Sequence, residues 1–146
     1  MSSYEGHISA GAATSMIPVA FSAVYNGLDQ LWLVFLTSVI FSLYPDMDTG
    51  SKSRRFIVIV SLAPATYFAN KDMMNSLVAL ALLIIIPTAF KHRGFVHSLI
   101  GMVLFGGIYV YMVDMSIGMV SPSAYAIAIS TGYLTHMALD KHFKLV

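Results

Sequence analysis

Cysteine is absent from this 146-residue sequence, and charge is scarce: only 10% of residues are Asp, Glu, Lys or Arg. The first absence excludes disulfides and thiolate metal sites, so any metal held here must use imidazole, carboxylate and water. The second separates the chain from ordinary water-soluble domains, in which about a quarter of residues are charged. With 58% of residues hydrophobic, the composition points to lipid as the solvent. A formal net charge of +1 offers no electrostatic case for a nucleic-acid partner, which leaves membrane lipids as the expected surroundings. The N-terminal MSSYEGHIS lacks the basic n-region of a cleaved signal peptide, so insertion is expected to use the first apolar segment itself.

What the chain has in quantity is long apolar sequence. Six runs stand out: Ile8–Tyr25, Leu28–Tyr44, Phe56–Ala69, Met73–Phe90, Phe95–Val113 and Ser121–Leu139. A spanning helix takes about 17–25 residues, so Phe56–Ala69, with Pro64 inside it, is expected to be short, broken or tilted. Turn and breaker residues separate the runs, at Asn26-Gly27, Pro45 with Gly50, Asn70-Lys71-Asp72 and Ser121-Pro122-Ser123. There is no internal repeat and no low-complexity tail. The expectation is a single all-α domain over residues 1–146, a polytopic membrane helix bundle of about six transmembrane helices.

The few charges report its topology. Lys52, Arg54 and Arg55 follow the second run, Lys91 and Arg93 lie between the fourth and fifth, and Lys141 and Lys144 follow the sixth. With six crossings, seven of the eight basic residues share one side, Lys71 being the exception. The positive-inside bias makes that side, and both termini, cytoplasmic. The ionisable residues obey the same parity. His7 opens the first run, Asp46 and Asp48 follow the second, His92 and His97 lie at the fourth-to-fifth turn, and His136 and Asp140 end the sixth. Reading Phe56–Phe90 as one crossing splits both classes, so two independent sets of residues favour a hairpin there.

Ionisable groups at membrane depth are costly and usually pair, face the bundle interior or bind something. His136 and Asp140, four apart in THMALD, share a helix face. The Asp can join the His on one metal or orient it from behind. His92 and His97 are five apart, which suits His92 in a turn, Gly94 as a break and His97 opening the fifth helix. YPDMD places two carboxylates after a proline, in a loop or helix end. Gly11, one turn after His7, allows another helix close by. Four imidazoles and three carboxylates suffice for one metal with an open position or for two sharing a carboxylate. A bound divalent ion lowers the pKa of its water from far above the physiological range to about 7. Arg93 can grip a phosphate or developing oxyanion, and Ser98 can donate to a ligand or substrate oxygen. Singly, each feature has a duller reading: an interfacial His7, a solvated Asp46-x-Asp48 with a helix cap, and Lys52, Arg54 and Arg55 as topology signals touching anionic headgroups.

In this order, His7 with Gly11, LYPDMDTGSKS, HRGFVHS and GYLTHMALD resemble the YdjM-like family, small bacterial inner-membrane proteins described as metal-dependent hydrolases, some carrying a LexA-binding label. The resemblance covers nearly the whole chain. Its pattern is a first His, then LLPDxDxxxS, HRGxTHS and GxxxHLxLD. Tyr44 and Val96 depart from it without removing a ligand. It implies metal-site roles for His7, Asp46, Asp48, His92, His97, His136 and Asp140, with Arg93 and Ser98 in support.

The leading expectation is a membrane-embedded, metal-dependent hydrolase opening at the cytoplasmic headgroup level, with a lipid or other amphipathic ester or phosphoester as substrate. His97, His136, Asp46 and Asp140 form its preferred ligand set. His7, Asp48 and His92 complete a second metal or act as base and orienting partners; Arg93, Ser98, Asp48 and His92 are the candidate catalytic residues. Mixed His/Asp ligation suits zinc first and also manganese, iron or nickel, one or two ions per chain. Two other classes compete: a metal or proton transporter, which needs polar groups at mid-span, and a docking protein with a structural metal, which needs larger exposed loops. Substrate, nuclearity and oligomeric state stay open on the sequence.

Overall fold

The computed structural model describes residues 4–26, 30–48, 51–90, 94–118 and 122–140, and these fold as helices throughout. The first apolar run becomes α1 (Tyr4–Thr14) and α2 (Met16–Asn26), joined at Ser15. Backbone bonds carry the helix across the joint, from Ser15 N to the Gly11 carbonyl at 2.9 Å and from Val19 N to the Ser15 carbonyl at 3.1 Å. The break has a local cause: Pro18 has no N–H for the Thr14 carbonyl. The second run gives α3 (Leu31–Leu43), which tightens into a 3-10 turn over Tyr44–Asp48.

The third run corrects an expectation. It is a continuous 19-residue helix, α4 (Lys52–Asn70), running unbroken through Pro64. Counting from Phe56 missed its first turn, which is polar. Ser51 caps it, its hydroxyl accepting from Arg54 N at 3.2 Å. A lost hydrogen bond at an internal proline is survivable where neighbouring helices hold the segment. A tight turn at Lys71-Asp72, with Asp72 at φ 54°, leads into α5 (Met74–Ile85) and a 3-10 turn at Ile86–Ala89. The expected α4–α5 hairpin is therefore present.

After another 3-10 turn, Phe95–His97, come α6 (Leu99–Ile117) and α7 (Pro122–Leu139). His97 was expected to open the fifth helix; instead it ends the turn before it. Ser98 intervenes in extended conformation, and its hydroxyl accepts from Gly101 N at 3.0 Å to cap α6.

Helix α3 is the hub, packing most closely on α7 and also on α1 and α2, while α5 packs on α6 and α4 on α5. Small residues set the spacing at the hub. A side chain at Gly132 would collide with the Ser38 carbonyl, and one at Gly11 with the Ser42 hydroxyl. Such close approaches are how helices associate where lipid removes the hydrophobic drive between them. The interior accordingly holds many polar groups, among them Ser15, Ser22, Thr37, Ser38 and three histidines, while Val24, Ile59, Leu62 and Val103 are largely exposed. Among the described residues, two helical stretches are long and apolar enough to cross a membrane, Tyr4–Val24, which runs from α1 into α2, and Leu99–Ile117; the apolar stretches Leu31–Met47 and Met74–Ala89 are shorter.

Candidate metal centre

The ends of α3 and α7, the start of α1 and the turn before α6 meet at one end of the bundle. There Asp46, His97, His136 and Asp140 each offer a donor atom, and these four atoms all lie within 4.8 Å of one another. Residues up to 94 positions apart thus share one pocket. His136 Nε2 stands 3.6 Å from Asp46 Oδ1 and 3.8 Å from Asp140 Oδ2, and His97 Nε2 stands 3.8 Å from Asp46 Oδ1. These separations are too long for hydrogen bonds, which close at about 2.7–3.2 Å. They are near the roughly 3.3–3.5 Å that separates donors sharing one tetrahedral ion with ligand bonds of about 2.0–2.2 Å. The two histidines are fully buried and Asp140 nearly so, whereas the Asp46 side chain keeps 18% of its surface exposed.

His136 and Asp46 are held from behind. His136 Nδ1 lies 2.8 Å from the Ser42 carbonyl. A carbonyl can only accept, so Nδ1 carries the proton and Nε2 keeps its lone pair, the tautomer a metal ligand needs. Nε2 itself has no hydrogen-bond partner among the described residues. Ser42 is available because it sits in the last turn of α3, where carbonyls lack helical donors, and Pro45, three residues on, has no N–H to give. The Ser42 hydroxyl shares its proton between the Val39 carbonyl of its own helix at 2.7 Å and the His7 carbonyl at 3.1 Å, so one serine joins α1, α3 and α7.

His7 stands beside the four-residue set. Its ring stacks on His136 with centroids 4.0 Å apart, and its Nε2 lies 3.4 Å from Asp140 Oδ1, while Asp140 Oδ2 is the oxygen 3.8 Å from His136 Nε2. Asp46 is steadied from α4: Ser53 donates to its Oδ2 at 3.4 Å and Ser51 to its backbone carbonyl at 3.0 Å. The turn bearing His97 is tied to α7 by the buried Tyr133 hydroxyl, which donates to the Val96 carbonyl. Removing that hydroxyl strands a buried carbonyl, which typically costs about 1–3 kcal/mol. Tyr133→Phe is therefore expected to lower thermal stability and weaken metal affinity together, as read by melting and metal titration of the purified variant.

Of the residues read from sequence, the structure thus assembles Asp46, His97, His136 and Asp140, with His7 adjoining. Ser98 has its hydroxyl occupied in capping α6 and in donating to the Phe95 carbonyl at 2.6 Å. Asp48 closes the 3-10 turn after α3, but its side chain, like His92 and Arg93, lies outside the described residues. Ser42, Ser53 and Tyr133 were not singled out from the sequence. The SKS that follows YPDMDTG was the one available hint.

No curated protein and no solved structure matches the chain significantly. The description of one family, YdjM inner membrane protein, matches residues 1–144. That match spans every element that builds the His/Asp pocket, and the chain belongs to the YdjM inner membrane protein family.

Proposed function

We propose that the protein is a multi-pass inner-membrane hydrolase, dependent on a divalent metal and acting at the cytoplasmic face on a lipid or other amphipathic ester or phosphoester. The observation that carries this reading is the convergence of two imidazoles and two carboxylates, from three distant parts of the chain, at separations too long for hydrogen bonding and suited to a shared ion. Asp46, His97, His136 and Asp140 would hold the metal, with zinc the first candidate. Bound there, the ion would supply a Lewis acid and acidify water toward neutrality. The chain's own part is to hold His136 in one tautomer, to exclude bulk water from three of the four donors, and to leave Asp46 as the approachable side.

The bilayer setting is supported by the family and by large apolar side chains exposed on the outside over a core that includes many buried polar groups. Taking α1 and α2 as one segment, the seven helices α1 to α7 are read as six crossings, with α4 and α5 as the central hairpin. Lys52, Arg54 and Arg55 occupy the first turn of α4 at the end that carries the site. Positive charge at a helix N-terminus opposes the macrodipole, so these cations answer to the membrane surface rather than to helix stability.

Hydrolysis is favoured over transport by the arrangement along the bundle. The donor set lies at one end. Deep between the helices, the Tyr109 hydroxyl meets Thr37 Oγ1 at 2.8 Å, and Thr37 donates onward to the Leu33 carbonyl at 2.7 Å, so these groups satisfy each other. At the far end Tyr125, Gln30 and the Gly118 carbonyl are bonded together. Elemental analysis of detergent-purified protein is expected to find one ion per chain. Incubation with total lipid extract, followed by mass spectrometry, is expected to show one lipid class cleaved only by the metal-loaded form. Metal-free protein after purification under metal-replete conditions would count against the reading.

A further inference from the structure

An elongated cavity of about 460 Å³ runs between α3, α4, α5 and α6, within the roughly 300–1,000 Å³ of small-molecule sites. One wall follows α3 from Leu33 through Leu36 and Ile40 to Tyr44; another follows α4 from Ile57 through Val60 and Pro64 to Phe68. At 1.5 Å per helical residue, the α3 wall is roughly 17 Å long. The cavity is therefore a slot parallel to the helices.

Its lining offers a guest almost nothing to hydrogen-bond. Ser61 donates to the Val58 carbonyl at 2.7 Å, Ser116 to the Val113 carbonyl at 3.1 Å and Tyr44 to the Leu83 carbonyl at 2.7 Å, while Tyr109 is engaged with Thr37. Water has no reason to enter, since apolar cavities of even about 150 Å³ stay dry and accept hydrocarbon. An empty slot would forfeit the dispersion contacts of its whole lining. What suits the space is a hydrocarbon chain.

The slot also leads to the metal site. Ser53, which donates to Asp46, is one turn before Ile57 on α4, and the stripe Ser53, Ile57, Val60, Pro64, Phe68 keeps helical spacing along one face. In the 3-10 turn that follows α3, the wall residue Tyr44 is two positions from Asp46. The near end of the slot, at Tyr44 and Ile57, thus points toward the one donor of the four that remains exposed.

We propose that this slot holds one acyl chain of the membrane lipid whose ester or phosphoester group lies at Asp46, His97, His136 and Asp140. The lipid enters sideways between α3 and α4, past the half-exposed Leu36 and Val60. The polar end of this assignment rests on the hydrolase reading above; the chain end rests on the slot alone.

The test is photo-crosslinking in nanodiscs with two phospholipids, carrying a diazirine either near the acyl carbonyl or at the chain terminus. Adducts are mapped by mass spectrometry. The carbonyl-proximal probe should mark Ile57 and Leu83, and the terminal probe Phe68 and Val113. These residues are at most 8% exposed, yet their labelling should exceed that of the open, lipid-facing Val24 and Val103 several-fold. Ser61→Phe, and independently Ala63→Trp at the mouth, should cut slot labelling several-fold while bound metal is unchanged. Labelling that instead follows exposure, led by Val24 and Val103, overturns the proposal. So does slot labelling indifferent to both variants while each retains its metal. Ordered slot adducts without turnover of any lipid would sink the hydrolase reading and keep the chain site; turnover with scattered adducts would do the reverse.

Discussion

Asp46→Asn is expected to abolish metal binding and yet to melt at a higher temperature than chelated wild-type protein. The reason lies in the two carboxylates. Asp46 and Asp140 present oxygens within 4.8 Å of each other, in a pocket walled by buried histidines. At an effective dielectric constant of 20, two unit charges so placed repel by about 3 kcal/mol. A divalent ion cancels that repulsion and adds binding energy to the folded state, about 4 kcal/mol when free metal exceeds its dissociation constant a thousandfold. Chelation removes both benefits and leaves the carboxylates facing each other. Asparagine has nearly the same shape and can still meet Ser53, but it carries no charge and ligates poorly. The expected order of melting temperatures is loaded wild type, then Asp46→Asn with or without chelator, then chelated wild type. His136→Ala also loses the ion, but it opens a void at a fully buried position and keeps the repulsion, so it should fall lowest. Thermal unfolding in detergent with and without chelator reads the whole series. A wild type indifferent to chelator, or an Asp46→Asn less stable than the chelated wild type, would show that these residues are an ordinary polar core.

Much of this site was legible because lipid makes ionisable residues expensive. His7, Asp46, His97, His136 and Asp140 are conspicuous against apolar runs, and their positions relative to those runs place them at one end by parity alone. The residues that hold them in place were not legible, for a physical reason. Ser42, Ser53 and Tyr133 belong to residue types scattered through the chain. A helical serine that bonds a preceding carbonyl, as Ser61 does with Val58, looks the same in sequence as Ser42. Only the register between α1, α3 and α7 gives Ser42 two interhelical bonds. Ser98 shows the opposite error. Serine before an apolar run is a helix-start signal, and the structure uses it so, although the sequence reading gave its hydroxyl to a ligand. The third run was underestimated because an internal proline reads as a breaker, although α4 passes through Pro64 unbroken, and because its polar first turn was left uncounted.

Register also identifies the substitution expected to harm the site most from outside it. Gly132 and His136 are one turn apart on α7, and Ser38 and Ser42 are one turn apart on α3. The two helices run in parallel toward the site, so the Gly132–Ser38 contact and the His136–Ser42 hydrogen bond are successive rungs of one interface. A Cβ at 132 would strike the Ser38 carbonyl and press within 3.0 Å of Ser42 N. Both are backbone atoms of a buried helix, which no rotamer change can relieve. Overpacking of this kind costs about 1–3 kcal/mol and occasionally more, and here the upper end is expected, since the helices must separate. At about 2–4 °C per kcal/mol for a chain of this size, Gly132→Ala should lower the melting temperature by roughly 6–12 °C. The separation also stretches the bond that fixes the His136 tautomer, and losing such a supporting contact typically weakens metal binding about 10–100-fold. Gly107→Ala on α6 is the control. Nothing lies within 4 Å of its added Cβ, and alanine is the better helix former by about 1 kcal/mol, so this variant should melt no lower than wild type and keep its metal. If Gly132→Ala behaves like Gly107→Ala in both measurements, the close approach of α3 and α7 is not what assembles the centre.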